Sequence, residues 1–252
     1  MERGAEFLPG GFGRGRGGGY LYRMIGAIVE LLLSWALLHF IEHRNLSVLG
    51  FRPTPRRLRL AGLGFLLGVV YLSVFYLVQA ALMHDPYHLN TAYGFPAMLK
   101  SLWYVFKSVL FEELIFRGAL LYILIKKIGP AKAVLISAIA FGIYHWFTIG
   151  FGKPTQMAFI FLVMGLTGYA FAKAFEKTGT ILLPFALHFG FNVTIMLLFS
   201  RNSGIGPQLF IQAAGPHIPA KGLLFLAFMI GENFVPPLLV LFWLRFVKRE
   251  PF

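Results

Sequence analysis

Long apolar runs dominate the chain, broken at short intervals by clusters of positive charge. Seven apolar segments can be traced, at approximately 21–41, 58–83, 98–125, 131–147, 156–174, 180–200 and 221–245. Each is near the length that spans about 30 Å of hydrocarbon. The runs are continuous rather than alternating, and backbone groups in lipid must be satisfied internally, so the pattern predicts helices and not barrel strands. The expected fold is all-α: a polytopic transmembrane helical bundle of about seven helices, eight at most.

Basic residues set the expected orientation. Arg44, Arg52, Arg56, Arg57 and Arg59 fall in the stretch 42–59, Lys126, Lys127 and Lys132 in 126–132, and Lys173 and Lys177 in 173–179, with Lys248 and Arg249 at the C-terminus. Alternation puts all four groups on one side, assigned to the cytoplasm by the positive-inside rule. Arg56, Arg57 and Arg59 are expected to anchor the protein to anionic lipids there. This arrangement places the Arg-bearing N-terminus outside, so the first segment, with Arg23 and Glu30 inside it, is expected to tilt or lie at the interface.

Composition agrees. Of 252 residues, 58% are hydrophobic and 13% charged, against about 25% charged in a typical soluble domain. With no cysteine, disulfides, thiolate metal sites and cysteine nucleophiles are excluded. The net charge of +13 sits in short loops, which points to a membrane surface rather than nucleic acid. The stretch from Gly10 to Tyr20 looks like an RGG tail but reads more simply as part of a flexible Gly/Arg-rich segment over 1–20, ahead of a membrane domain over 21–252 whose core is expected at about 100–200. It lacks the layout of a signal peptide.

The informative chemistry lies inside the apolar runs. Glu112, Glu113 and Arg117 occupy the third segment, and each central charge costs roughly 2.5–3.5 kcal/mol on insertion scales. Charges kept at such expense mark a functional site. Glu113 and Arg117 are four residues apart and well placed for an intrahelical ion pair. Glu112, about 100° round the helix, is turned another way and is suited to general acid–base work. At a rise of about 1.5 Å per residue, Glu112 lies roughly 19 Å, His145 roughly 21 Å, and His188 and Asn192 roughly 12 and 18 Å from the inner ends of their segments. Three helices thus bring polar side chains to one level near mid-bilayer, with His188 and Asn192 on one helix face.

In order along the chain, Glu112-Glu113-x-x-x-Arg117, Phe141-x-x-x-His145 and His188-x-x-x-Asn192 resemble the three motifs of the CAAX-protease and bacteriocin-processing family of intramembrane proteases, which includes Rce1. Leu49-Gly50-Phe51-Arg52-Pro53 is similar to a stretch common in its prokaryotic members. The resemblance implies a multi-pass protein, most simply of a prokaryotic plasma membrane, that hydrolyses a peptide bond of a membrane-anchored protein or peptide. Glu112 and His145 would activate a water, His188 and Asn192 would stabilise the oxyanion, and Glu113 and Arg117 would shape the site. Glu112, His145 and His188 are also the three side chains that would hold a zinc ion if the mechanism uses one; the residues fit a metal-free glutamate mechanism equally.

Other protease chemistries lack their residues. The chain has no His-Glu-x-x-His, no Gly-x-Ser-Gly, and a single aspartate, Asp85. Two non-proteolytic alternatives stay open: a non-catalytic scaffold or bacteriocin-immunity protein of the same fold, and a proton-coupled transporter relaying through Glu112 and His145. Against the latter, no inverted repeat is visible. Glu232, ahead of Pro236-Pro237, is a further intramembrane acid expected to serve a local structural or hydrated-cavity role, and His84-Asp85-Pro86-Tyr87-His88 reads as a surface turn.

Overall fold

The computed structural model describes residues 18–199, 208–212 and 219–250. The Gly/Arg-rich stretch before Gly18, and the side chain of Arg23 expected near Glu30, lie outside the described residues. In order, the chain forms α1 (Gly18–Glu42), a 3-10 turn (Leu46–Leu49), α2 (Pro55–Leu82), β1 (Tyr87–Leu89), α3 (Phe95–Arg117), α4 (Ala119–Ile128), α5 (Pro130–Ile149), α6 (Pro154–Thr178), α7 (Leu182–Val193), a π-helical turn (Thr194–Leu198), β2 (Phe210–Gln212), α8 (Gly222–Asn233) and α9 (Val235–Leu244). Prolines open α2, α3, α5 and α6 in the first helical turn, where the missing N–H is harmless.

The fold is mostly helical. Among the described residues, three helices are long and apolar enough to cross a membrane alone: α2, α5 and α6. The pair α8–α9, bent by 44°, passes the same test together and counts as a fourth if taken as one broken span. Their outer faces carry exposed Leu63, Leu66, Val70, Val74, Leu135 and Ile139, as a lipid-facing surface requires. The remaining apolar runs depart from simple spans. The run 98–125 is two helices, broken at Gly118, where a Cβ would lie 2.1 Å from the Leu114 carbonyl oxygen, so only glycine lets the chain turn there. α3 is also highly charged, holding Lys100 and Lys107 besides the Glu112–Arg117 group. The run 180–200 is α7 plus the π turn. The run 221–245 bends at Phe234, just before Pro236 and Pro237, which have no N–H to continue the α8 ladder.

The segment His84–His88, expected as a surface turn, leads into a short antiparallel ribbon. β1 pairs with β2 in the register Tyr87 to Gln212, His88 to Ile211 and Leu89 to Phe210. Gln212 adds a side-chain hydrogen bond from Nε2 to the Asp85 carbonyl, 3.0 Å. Two inter-helical loops thus satisfy each other's backbone, a pairing that neither loop announces by itself.

Two contacts fix α7. Along the membrane, Gly64 and Gly68 of α2 face it across a close approach: a Cβ on Gly68 would lie 2.8 Å from the Phe191 nitrogen, and one on Gly190 would lie 2.4 Å from the Phe65 carbonyl oxygen. Small residues draw membrane helices together in this way, because dispersion and not water exclusion drives their association. At the N-terminal end of α7, Ile181 N–H donates to the Leu49 carbonyl (2.9 Å) and Thr180 Oγ1 to the Gly50 carbonyl (2.8 Å). The Leu49–Pro53 stretch therefore seats the start of α7. Arg57 Nη1 donates to the carbonyls of Gly50 and Arg52, each at 3.3 Å. Arg56 and Arg57 also hold Glu250 of the C-terminal segment, and Arg249 pairs with Glu176 at 2.6 Å. Arg56 and Arg57, expected at the lipid surface, have protein partners as well.

Gly190→Ala forces a methyl against backbone that cannot give way. Overpacking of this kind costs about 1–3 kcal/mol, so the variant is expected to melt several degrees lower in detergent than the wild type. Gly62→Ala, where a Cβ meets nothing within 4 Å, is the control and is expected to melt unchanged.

Candidate active site

α3, α5 and α7 converge on a cavity of about 220 Å³ that also takes walls from α2, α6 and the α8–α9 bend. Glu112, His145, His188 and Asn192 all line it. The four residues predicted to share a depth therefore share a cavity.

Glu113 and Arg117 form the expected ion pair, Nη1 to Oε1 at 3.1 Å, with neither side chain exposed at all. Arg117 is caged further. Its guanidinium carbon lies 4.3 Å from the Phe141 ring centroid, 5.4 Å from that of Phe171 and 5.7 Å from that of Phe116, and Nη2 donates to the Gly168 carbonyl at 3.3 Å. The aromatic faces supply the negative potential that a buried guanidinium needs. One position of the second motif thereby gains a physical role: Phe141 stacks on Arg117 and, one turn later, brings His145 to the cavity.

Glu113 has a second partner that the i, i+4 argument does not reach. The same Oε1 that takes Arg117 accepts a hydrogen bond from His188 Nδ1 at 2.8 Å. Ionised and paired, this carboxylate only accepts, so Nδ1 carries the proton and Nε2 faces away from Glu113. Nε2 lies 3.9 Å from Glu112 Oε2. His188 thus stands between the two glutamates, oriented by one and turned toward the other. His145 is fixed by a parallel device: Nδ1 lies 2.8 Å from the Phe141 carbonyl oxygen. A carbonyl only accepts, so Nδ1 is the donor, and in the neutral ring the Nε2 lone pair is available.

These tautomers suit either a water site or metal ligation. The spacing is less accommodating: among the described residues, no group of three or more His, Asp or Glu side chains is placed to hold a metal ion. Glu112, His145 and His188 line one cavity without converging as the ligands of a tetrahedral zinc do.

The cavity also has members that the motif reading left aside. Thr167 and Phe171 come from α6, and Glu232, Asn233, Pro236 and Pro237 from the α8–α9 bend. Glu232 accepts a hydrogen bond from Tyr76 at 2.8 Å, and the expected hydrated-cavity role for it becomes a place in the wall of this cavity. A lone charge in the last apolar run was its signal. Nothing in the sequence marked α6, whose contribution is apolar apart from Thr167. The π turn begins two residues after Asn192, and such bulges occur often at functional sites.

Fold and cavity together define a multi-pass helical membrane protein with a buried carboxylate–histidine site. Residues 94–194 match the family model described as type II CAAX prenyl endopeptidase, Rce1-like, so this segment is similar to the Rce1-like proteases. The match spans α3 to α7 and takes in all seven motif residues. No curated protein and no solved structure matches the chain.

Removing one partner of the Glu113–Arg117 pair strands a buried charge at a cost of about 3–5 kcal/mol. Arg117→Ala is expected to lower the melting temperature sharply. Combining it with Glu113→Ala should cost clearly less than the sum of the two single losses. Additive losses would mean that the pair contributes no coupling.

Proposed function

We propose that this protein is an intramembrane endopeptidase of the CAAX-protease type, hydrolysing a peptide bond of a membrane-anchored protein or peptide with a water activated by Glu112 and His145. The observation that carries this reading is the shared cavity, in which a carboxylate, an imidazole lone pair and the Nε2 edge of an oriented second imidazole face one space.

In this reading, water sits between Glu112 and His145 Nε2. Glu112 takes its proton as the oxygen attacks the carbonyl carbon of the scissile bond. The oxyanion of the tetrahedral intermediate is met by donors from α7, the Asn192 amide and His188 Nε2–H. His188 has already given Nδ1–H to Glu113, so it donates from Nε2 only as imidazolium. Carboxylates at 2.8 and 3.9 Å stand on either side to stabilise that charge. As the C–N bond breaks, the proton on Glu112 passes to the leaving nitrogen. Glu113 and Arg117 touch neither substrate nor water in this scheme; they hold His188 at its angle. The low-dielectric surroundings strengthen each of these interactions. The scheme routes no step through a metal.

The seven membrane passes belong to this reading. α2, α5, α6 and the bent α8–α9 pair supply four, and α1, α3–α4 and α7 with its π turn supply the others, turning their charges inward. Arg59 and the unengaged edges of Arg56 and Arg57 would meet anionic lipid at the cytoplasmic face of a prokaryotic plasma membrane.

The test is cleavage of membrane-anchored peptides by purified protein. Losing a general base costs about 10²–10⁴-fold, so Glu112→Gln and His145→Ala are each expected to lower kcat by that order. Asn192→Ala is expected to lose about 10²–10³-fold, as for an oxyanion donor. Equal turnover by wild type and Glu112→Gln would sink the assignment.

A further inference from the structure

Part of the cavity wall comes from the α8–α9 bend, outside the motif residues. Glu232 lies at the end of α8, outside the matched segment 94–194. Its Oε1 accepts from the Tyr76 hydroxyl at 2.8 Å, and no lysine or arginine among the described residues pairs with it. Asn233 donates one amide N–H to the Met229 carbonyl at 2.9 Å, which leaves its side-chain oxygen as an acceptor beside the second N–H. The next turn removes donors as well: Pro236 and Pro237 have no N–H for the carbonyls of Glu232 and Asn233, four residues earlier in each case. All four residues line the cavity.

The bend thus brings a carboxylate and an amide oxygen to the cavity, beside two backbone carbonyls whose helical donors the prolines remove. Acceptors that outnumber donors in a low-dielectric site are costly until a donor or cation arrives. Broken membrane helices with freed carbonyls are a common way to receive a positive group. The positively charged motif residue does not reach this wall, since Arg117 is fully buried against Glu113 and the rings of Phe141 and Phe171.

The geometry points to a specificity subsite: Glu232 and Asn233, at the α8–α9 bend, bind a basic side chain of the substrate, a lysine or arginine near the scissile bond. The inference rests on reading the cavity as a peptide-cleaving site and names the substrate class it selects. The substrate's ammonium or guanidinium group supplies the positive charge that this wall lacks, and a peptide held there shares the cavity with Glu112 and His145. Glu232 contributes to selection and binding, and no proton or bond change is assigned to it.

The experiment uses the full chain carrying Glu112→Gln, so that binding is read without turnover, in nanodiscs of neutral lipid. The probes are membrane-anchored fluorescent peptides, matched except for lysine or norleucine at one position, with that position moved along the peptide. At one register the lysine peptide is expected to bind about tenfold more tightly than its norleucine twin. Adding Glu232→Gln, which keeps an acceptor for Tyr76, is expected to close that gap, and Glu232→Asp to preserve most of it. Tyr76→Phe, which leaves the carboxylate in place, should retain the lysine preference even where Glu232→Gln fails to fold. Equal binding of the two peptides at every register overturns the proposal, as does a gap that survives Glu232→Gln. Parallel turnover with Glu112 intact separates the two readings. Cleavage without lysine preference overturns the subsite alone, and lysine-selective binding without cleavage overturns the endopeptidase reading alone.

Discussion

Everything in the site hangs on one buried charge pair with a third member. Glu113 and Arg117, both sealed from solvent, form a bond that is expensive to bury and more expensive to break. The carboxylate oxygen that takes Arg117 also takes His188 Nδ1. A pair within α3 thereby becomes a tie between α3 and α7. Because the carboxylate can only accept, the tie also decides which nitrogen of His188 carries its proton and which faces the cavity. Arg117 in turn needs the faces of Phe141 and Phe171, and so draws α5 and α6 into the same constraint.

The rest of the bundle serves that tie. Glycines on α2 and α7 bring those helices close enough to set the height of His188 and Asn192. The Leu49–Pro53 stretch holds the start of α7 through Ile181 and Thr180. Contacts far from the cavity thus govern where its donors stand. In a bilayer, where lipid packs against an apolar face as readily as another helix does, close backbone approach and buried polar bonds do the work that water exclusion does in a soluble core.

Polar economy explains the departures from a simple set of spans. α3 turns its charges inward and breaks at Gly118, and the last run bends ahead of two prolines. Each irregularity borders the cavity or the elements that build it. Non-helical backbone at membrane depth is tolerated where protein or a hydrated cavity can satisfy it, and the α8–α9 bend fits that rule by adding acceptors to the cavity wall.

The sequence by itself determined the helical class, the membrane setting, and four of the polar residues that line the cavity, Glu112, His145, His188 and Asn192. It could do so because apolar runs, charge at forbidden depth and i, i+4 spacing are local properties, readable without knowing which helices touch. The Glu113–Arg117 pair and the common level of Glu112, His145 and Asn192 follow from helix geometry alone. Only the tertiary structure decided that Glu113 also orients His188, that Phe141 stacks on Arg117, and that Glu232 faces the same cavity. Each joins residues on different helices, in one case 75 positions apart. The breaks at Gly118 and Phe234 belong there too, since hydropathy averages over a turn and cannot see where backbone bonds are given up. Partners across helices are chosen by packing, and packing leaves no mark in the period of a single run.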